Sequence, residues 1–229
     1  LAKFLGRAGH TVGIVTPLYR GIPERFAAIK HFDWHLDLPL GTQRVRAEVF
    51  TLEPSENVTV YFIKQPAFFD RAFIYNEHDL DYPDNAQRFI YFSKCVVNLA
   101  RYLPWKPQIL HMHDWQTGLV PLLVLHQKTH EGWWDVPRTC YTIHNLAYQG
   151  NYPRSVYGFT NLPPSYLHLN GAEFFGWFSL LKTGIAFADI LTTVSPRYAI
   201  EITTPRLGCG LDGALRARKD SLIGVLNGV

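Results

Sequence analysis

The stretch "QILHMHDWQTGLVPLLVLHQKTH" (Gln108–His130), followed by "RTCYTIHN" (Arg138–Asn145), decides the fold. Gln108–Asp114 is a short apolar run that turns polar at its end, and Thr117–His130 is an apolar helical segment. Arg138–Asn145 is a second short run that again ends in polar residues. A strand, a helix and another strand in that order are the unit of a parallel sheet, because a helical crossover returns the chain to run in the same direction.

Working outward, the pattern repeats. Upstream, "DNAQRFIYFSKCVVNLARYL" (Asp84–Leu103) carries Asp84 or Asn85 as an N-cap, an apolar stripe at helical spacing and the stop Pro104, which predicts a crossover helix. Downstream, Gly171–Asp189 is expected to be mostly helical, Asp189–Ser195 a strand, and Pro196 the first residue of a helix capped by Ser195. A helix over Leu211–Lys219 and a strand over Ser221–Val229 follow. Near the front, Leu1–His10 reads as the second half of a helix capped by Gly9, and Thr11–Pro17 as a strand. Val45–Glu53 and Val58–Gln65 alternate around a polar "PSEN" turn and predict an antiparallel hairpin at the sheet edge. The expectation is one doubly wound α/β domain over residues 1–229, with a mostly parallel sheet and an antiparallel edge hairpin.

Composition agrees and excludes several classes. In 229 residues, 47% are apolar and 18% charged, enough for a core and too little charge for disorder. A formal net charge of +3 gives no reason to expect a nucleic-acid partner. No apolar run reaches the roughly 18 residues of a membrane span, and the first residues lack signal-peptide order, so no membrane partner is expected. Cys95, Cys140 and Cys209 are odd in number and widely spaced, which argues for a reducing compartment. Leu1 is not an initiator, so the sequence is expected to be truncated at its front.

In an open parallel sheet, ligands lie outside the carboxyl ends of the strands. Those ends carry His113, Asp114 and Trp115; His144 and Asn145; Ser195; and Asn227 and Gly228. Each alone has a plain structural explanation, but their convergence at one rim predicts a cleft for a polar ligand. His111, His113 and Asp114 invite a zinc reading. On a strand, however, the two histidines share one face and Asp114 takes the other, and no further ligand follows at diagnostic spacing. No metal is therefore expected. The nucleophile elbow, the phosphate-binding lysine loop and the dinucleotide glycine motif are all absent from the sequence. Two loops stand out: the glycine-rich "TPRLGCGLDG" (Thr204–Gly213), either a plain turn or a mobile flap, and the long aromatic loop Phe68–Asn85.

Five ordered blocks carry a resemblance. "HMHDWQTGL" (His111–Leu119), "TIHNLAYQG" (Thr142–Gly150), "LKTGIAFADILTTVSPRYAIEI" (Leu181–Ile202), "GLDGALRAR" (Gly210–Arg218) and "GVLNGV" (Gly224–Val229) closely resemble bacterial glycogen synthases and plant starch synthases. The resemblance implies the N-terminal, acceptor-side half of a GT-B fold, Rossmann-like, lacking the nucleotide-sugar domain. The implied reaction is retaining transfer of glucose from ADP-glucose to the non-reducing end of an α-1,4-glucan. The donor is a substrate, and neither a resident cofactor nor a metal is implied.

By motif position, the resemblance implies catalytic roles for His144 and Asn227, with Asp114, Trp115, Asn145, Tyr75 and Gly228 binding substrate. It implies a bacterial cytoplasm or a plastid. It also implies that the chain ends inside the family's N-G-[VI]-D motif and would be inactive alone. Gln116, where many relatives carry His, and Trp177 with Phe178 depart from the pattern. A sucrose- or trehalose-type transferase and a non-catalytic glucan-binding domain are the competing readings.

Overall fold

The computed structural model describes residues 1–78 and 80–228; Asp79 of the aromatic loop and Val229, the last residue of the expected closing strand, lie outside the described residues. The chain divides into two compact units, Leu1–Arg88 and Phe89–Val229. No helix among the described residues is long and apolar enough to cross a membrane.

In the first unit, helix α1 (Ala2–Arg7) leads into β1 (Val12–Pro17), followed by β2 (Lys30–Leu40), β3 (Gln43–Ser55) and β4 (Val58–Lys64). Gly9, at φ 88°, provides the left-handed turn after α1 that a side chain would resist. The sheet order is β1-β4-β3-β2, with β1 parallel to β4 and the other pairs antiparallel. The hairpin expected from sequence is present as β3 and β4, with Asn57 at φ 59° in its turn, but its two strands lie in the middle of this sheet and not at the edge of a parallel one. An unanticipated strand, β2, lies outside it. Val49 and Ile63 are buried on one face of the sheet, Val58 and Phe62 on the other.

The long loop after β4 has almost no regular structure, yet it is tied down at its backbone carbonyls. Arg88, fully buried, donates from Nε to the Phe68 carbonyl at 2.6 Å, from one terminal nitrogen to Asn85 Oδ1 at 2.6 Å, and from the other to the Ile74 carbonyl at 2.9 Å. Asn85 Nδ2 donates to the Tyr75 carbonyl at 2.9 Å, and Arg71 pairs with Asp84. A guanidinium has enough donors to satisfy several carbonyls that a strand or helix would otherwise pair.

The second unit is built on α2 (Asn85–Tyr102, whose first turn belongs to the first unit), β5 (Ile109–His113), α3 (Val120–His130), β6 (Arg138–Ile143), α4 (Leu180–Phe187), β7 (Ile190–Thr193), α5 (Pro196–Glu201), α6 (Asp212–Ala217) and β8 (Leu222–Gly224). Its main sheet has the order β8-β7-β6-β5 and every pair is parallel. The central strands β6 and β7 carry most of the buried residues, while the edge strands β5 and β8 are more exposed. Helix α4 packs against α3 and against the Trp115–Thr117 turn. Gly118 makes that approach possible, since a Cβ there would lie 2.0 Å from the Leu180 carbonyl oxygen.

Ser195 caps α5 as expected, its Oγ accepting from the Tyr198 backbone at 2.9 Å ahead of Pro196 at the first position. Two expectations need correction. The helix expected over Gly171–Asp189 is confined to α4; Glu173–Phe174 and Trp177–Ser179 instead pair antiparallel with each other, and the latter with Asn151–Pro153. Phe175 and Gly176 both have positive φ, 47° and 86°, and turn the chain between those strands. The final strand is also shorter than expected, stopping at Gly224.

Candidate active site

Because β5, β6, β7 and β8 all run parallel, their carboxyl ends share one rim of the sheet. His113 closes β5 and Asp114 follows it; His144 and Asn145 follow β6; Ser195 lies beyond β7; Asn227 and Gly228 lie beyond β8. The Val225 N–H donates to the Thr193 carbonyl at 2.8 Å, extending the β8–β7 pairing toward Asn227 and Gly228, which are exposed.

Asp114 has φ 54° and ψ −174°, a conformation that side chains resist. Its backbone N–H donates to the Thr142 carbonyl at 3.0 Å, and its Oδ1 accepts from the His144 N–H at 2.8 Å. The Thr117 hydroxyl accepts from the His113 N–H and donates to the His113 carbonyl, both at 2.8 Å, closing the turn. Strain in one residue is thus held by four neighbouring bonds, and its product is a carboxylate bonded to the loop of the next strand.

On the sheet face, side chains two apart on β5 line up with their partners on β6 and β7. His113 is in register with Thr142, and Thr142 with Thr192. Nε2 of His111 bonds Thr142 Oγ1 at 2.6 Å, and Thr142 Oγ1 bonds Thr192 Oγ1 at 2.5 Å. The rings of His111 and His113 lie 4.3 Å apart, and Nδ1 of His113 is 3.1 Å from Nε2 of His144. Burial, then the neighbouring His111 and His144, push the His113 pKa down to about 4; burial and His144 lower that of His111. His113 as a whole keeps an exposed surface at the rim. Among the described residues, no cluster of three His, Cys, Asp or Glu side chains is arranged to hold a metal ion.

The loop after β6 is fixed from several sides. Asn145 Oδ1 accepts from the Ala147 N–H at 3.0 Å, a local turn that leaves its amide nitrogen free of that bond. The Leu146 N–H donates to the Tyr198 hydroxyl on α5 at 3.1 Å, and Gln149 Nε2 donates to the Cys209 carbonyl at 3.0 Å. The second bond comes from the glycine-rich loop, which is a packed turn: a Cβ on its Gly208 would lie 2.4 Å from Asp212 Cβ. The sequence places His113 at this rim among the strand-end residues but assigns it no role of its own, and Tyr198 carries no signal there beyond its place in a helix.

Trp115 requires a correction. The sequence places it as an aromatic face for a sugar, but it is only 8% exposed, its ring 4.9 Å from Phe89 and 6.3 Å from Tyr152. It belongs to the core beneath the rim. Tyr75 lies in the first unit, exposed, on the loop anchored by Asn85 and Arg88. The structure therefore brings His144, Asp114 and Asn145 together at one rim and gives Trp115 a packing role.

The model of the starch synthase catalytic domain matches this chain over residues 1–217. The chain belongs to the starch synthase catalytic domain family. Among the family's curated members, the glycogen synthase of Opitutus terrae is 41% identical over 230 residues, covering 100% of this chain and 48% of the relative. That of Thermodesulfovibrio yellowstonii is 41% identical over 242 residues, covering 100% of this chain and 49% of the relative. The catalytic domain of starch synthase IV from Arabidopsis thaliana, solved bound to ADP and acarbose, superposes with a TM-score of 0.87 at 31% identity, covering 100% of this chain and 46% of that one. The chain spans about half the length of the curated relatives it matches. Its α/β architecture is that of the matched half of a starch synthase GT-B fold, as the sequence blocks implied.

Proposed function

We propose that this chain forms the acceptor-side part of a glycosyltransferase that moves glucose from ADP-glucose to the non-reducing end of an α-1,4-glucan with retention. The observation that carries the reading is the fixed placement of His144 at the carboxyl rim of the parallel sheet, its backbone bonded to Asp114 Oδ1 at 2.8 Å, in a chain matched by the family model over residues 1–217. The starch synthase IV relative, solved with ADP and acarbose, supports a nucleotide and a glucan as the ligands.

Each polar rim residue takes a role that its chemistry permits. His144 lies beside the reacting sugar, where a ring nitrogen or its carbonyl meets a hydroxyl or developing positive charge. Asn145 and Asn227 offer amides to sugar hydroxyls, and Gly228 leaves room for close approach. Asp114 acts on the site by holding His144, since one of its oxygens is already engaged there. The diphosphate leaving group is held by cationic side chains and backbone donors of the whole enzyme, so the reading calls for no resident metal.

The test is glucose incorporation into glycogen by the protein expressed from its complete reading frame, with ADP-glucose and UDP-glucose in parallel. Incorporation from ADP-glucose is expected, and His144→Ala should lower turnover far more than glucan binding. Glucan binding without transfer from either donor would replace this reading with that of a binding domain; transfer from UDP-glucose alone would replace the donor.

A further inference from the structure

We infer that His113 is a positioning residue that fixes the ring orientation and tautomer of His144 through its Nδ1 atom. The inference rests on the reading of His144 as the sugar-side group at the rim.

A histidine on an exposed loop turns freely about two side-chain bonds unless something holds the ring. Asp114 holds only the backbone of His144. Among the described residues, the ring's hydrogen bond is to Nδ1 of His113, at 3.1 Å, with the ring centroids 5.3 Å apart. His113 is itself braced: its ring lies against His111 at 4.3 Å, and His111 is bonded to Thr142 and through it to Thr192. A row of side chains across three parallel strands therefore ends on the His144 ring at the rim.

The chemistry of the contact gives it direction. Two neutral imidazoles whose nitrogens share a hydrogen bond share one proton between them, so the tautomers of His113 and His144 are coupled. Burial and the neighbouring rings keep His113 in the neutral form near pH 7. With Nε2 of His144 engaged, Nδ1 is the ring nitrogen left for a sugar hydroxyl. Partners of this kind, one step removed from the ligand, orient the groups that touch it.

The bonding atom supplies a sharp test. Nδ1 of histidine is attached to Cγ, as are the amide atoms of asparagine; the amide atoms of glutamine lie one carbon further out, where Nε2 would be. In the protein expressed from its complete reading frame, His113→Asn should keep kcat within about threefold of the parent. His113→Gln and His113→Leu should lower kcat by roughly 10- to 100-fold with the glucan KM little changed.

In parallel, ¹⁵N spectra of the histidine rings, assigned with His144→Gln, should show a single tautomer for His144 in the parent and in His113→Asn, and a mixture in His113→Leu. Equal activity of the Asn and Gln variants, or one unchanged His144 tautomer in all of them, would overturn the inference. If the Leu variant fails to fold, the Asn and Gln pair decides. If the parent transfers no glucose, the proposed function fails while the ring spectra still decide the role of His113.

Discussion

The carboxylate of Asp114 accepts the backbone N–H of His144 at 2.8 Å, so the turn that ends one strand anchors the first residue after the next. The anchoring residue is itself at φ 54° and ψ −174°, where only glycine is comfortable. Asp114→Asn keeps an oxygen in place and should lose least. Asp114→Ala loses the bond and keeps the strain, for a cost of about 2–3 kcal/mol. Asp114→Gly loses the bond but relieves the strain, and should be about 1 kcal/mol more stable than the alanine variant. Urea denaturation midpoints order the three; alanine as stable as asparagine would mean that the bond contributes nothing.

Trp115 supplies a second prediction. With the ring enclosed by Phe89 and Tyr152, Trp115→Ala should cost about 3–5 kcal/mol, and Trp115→Phe much less. Glucan affinity, compared by affinity electrophoresis below the melting temperature, should change little in the phenylalanine variant. A loss of affinity at unchanged stability would return Trp115 to the ligand surface.

Much of this was legible in the sequence. The strand ends were visible because short apolar runs stop abruptly at His113, His144 and Ser195, and a parallel order follows from the helices between them. Strand β2 was hidden by its composition: "KHFDWHLDLPL" mixes charge with apolar residues and contains Pro39. An edge position tolerates both, and Asp37 there is neutralised by Arg44 at 2.8 Å and Arg46 at 3.3 Å. The turn at Phe175–Gly176 lacks the Asn-Gly or Asp-Gly signal of tight hairpins, so its strands passed for helix. Burial of Trp115 depends on Phe89 and Tyr152, residues far apart in sequence, and the meeting of His113 with His144 depends on strand register. Neither is encoded in local pattern.

Stability should also carry a pH signature. The His113 pKa is about 4 in the fold against about 6.5 for a free histidine, so between those values the unfolded chain binds more protons. That contribution is therefore complete above about pH 6.5 and is lost as pH falls toward 4. Denaturation midpoints measured from pH 7.5 to 4.5 should drop more steeply for the parent than for His113→Asn. Parallel curves would show that His113 is not held neutral by its surroundings.

Close packing at Gly118 gives a paired test. A methyl group there meets the Leu180 carbonyl at 2.0 Å, whereas one at Gly158 meets nothing within 4 Å. Gly118→Ala should cost about 3 kcal/mol or more, because backbone has to move to admit it. Gly158→Ala should be neutral or slightly stabilising. Thermal melts of the two variants side by side check the contrast.

A sheet whose strands all point one way also has a second edge, where the amino ends gather. The segment between α3 and β6 lies there and bears Trp134, which is 82% exposed. At about 3.3 Å per residue, the length of β6 separates that edge from His144 by roughly 20 Å. The segment is thus an attachment point: a dye or a surface linker grafted beside Trp134 reports on the protein, or immobilises it, without touching the residues at the rim.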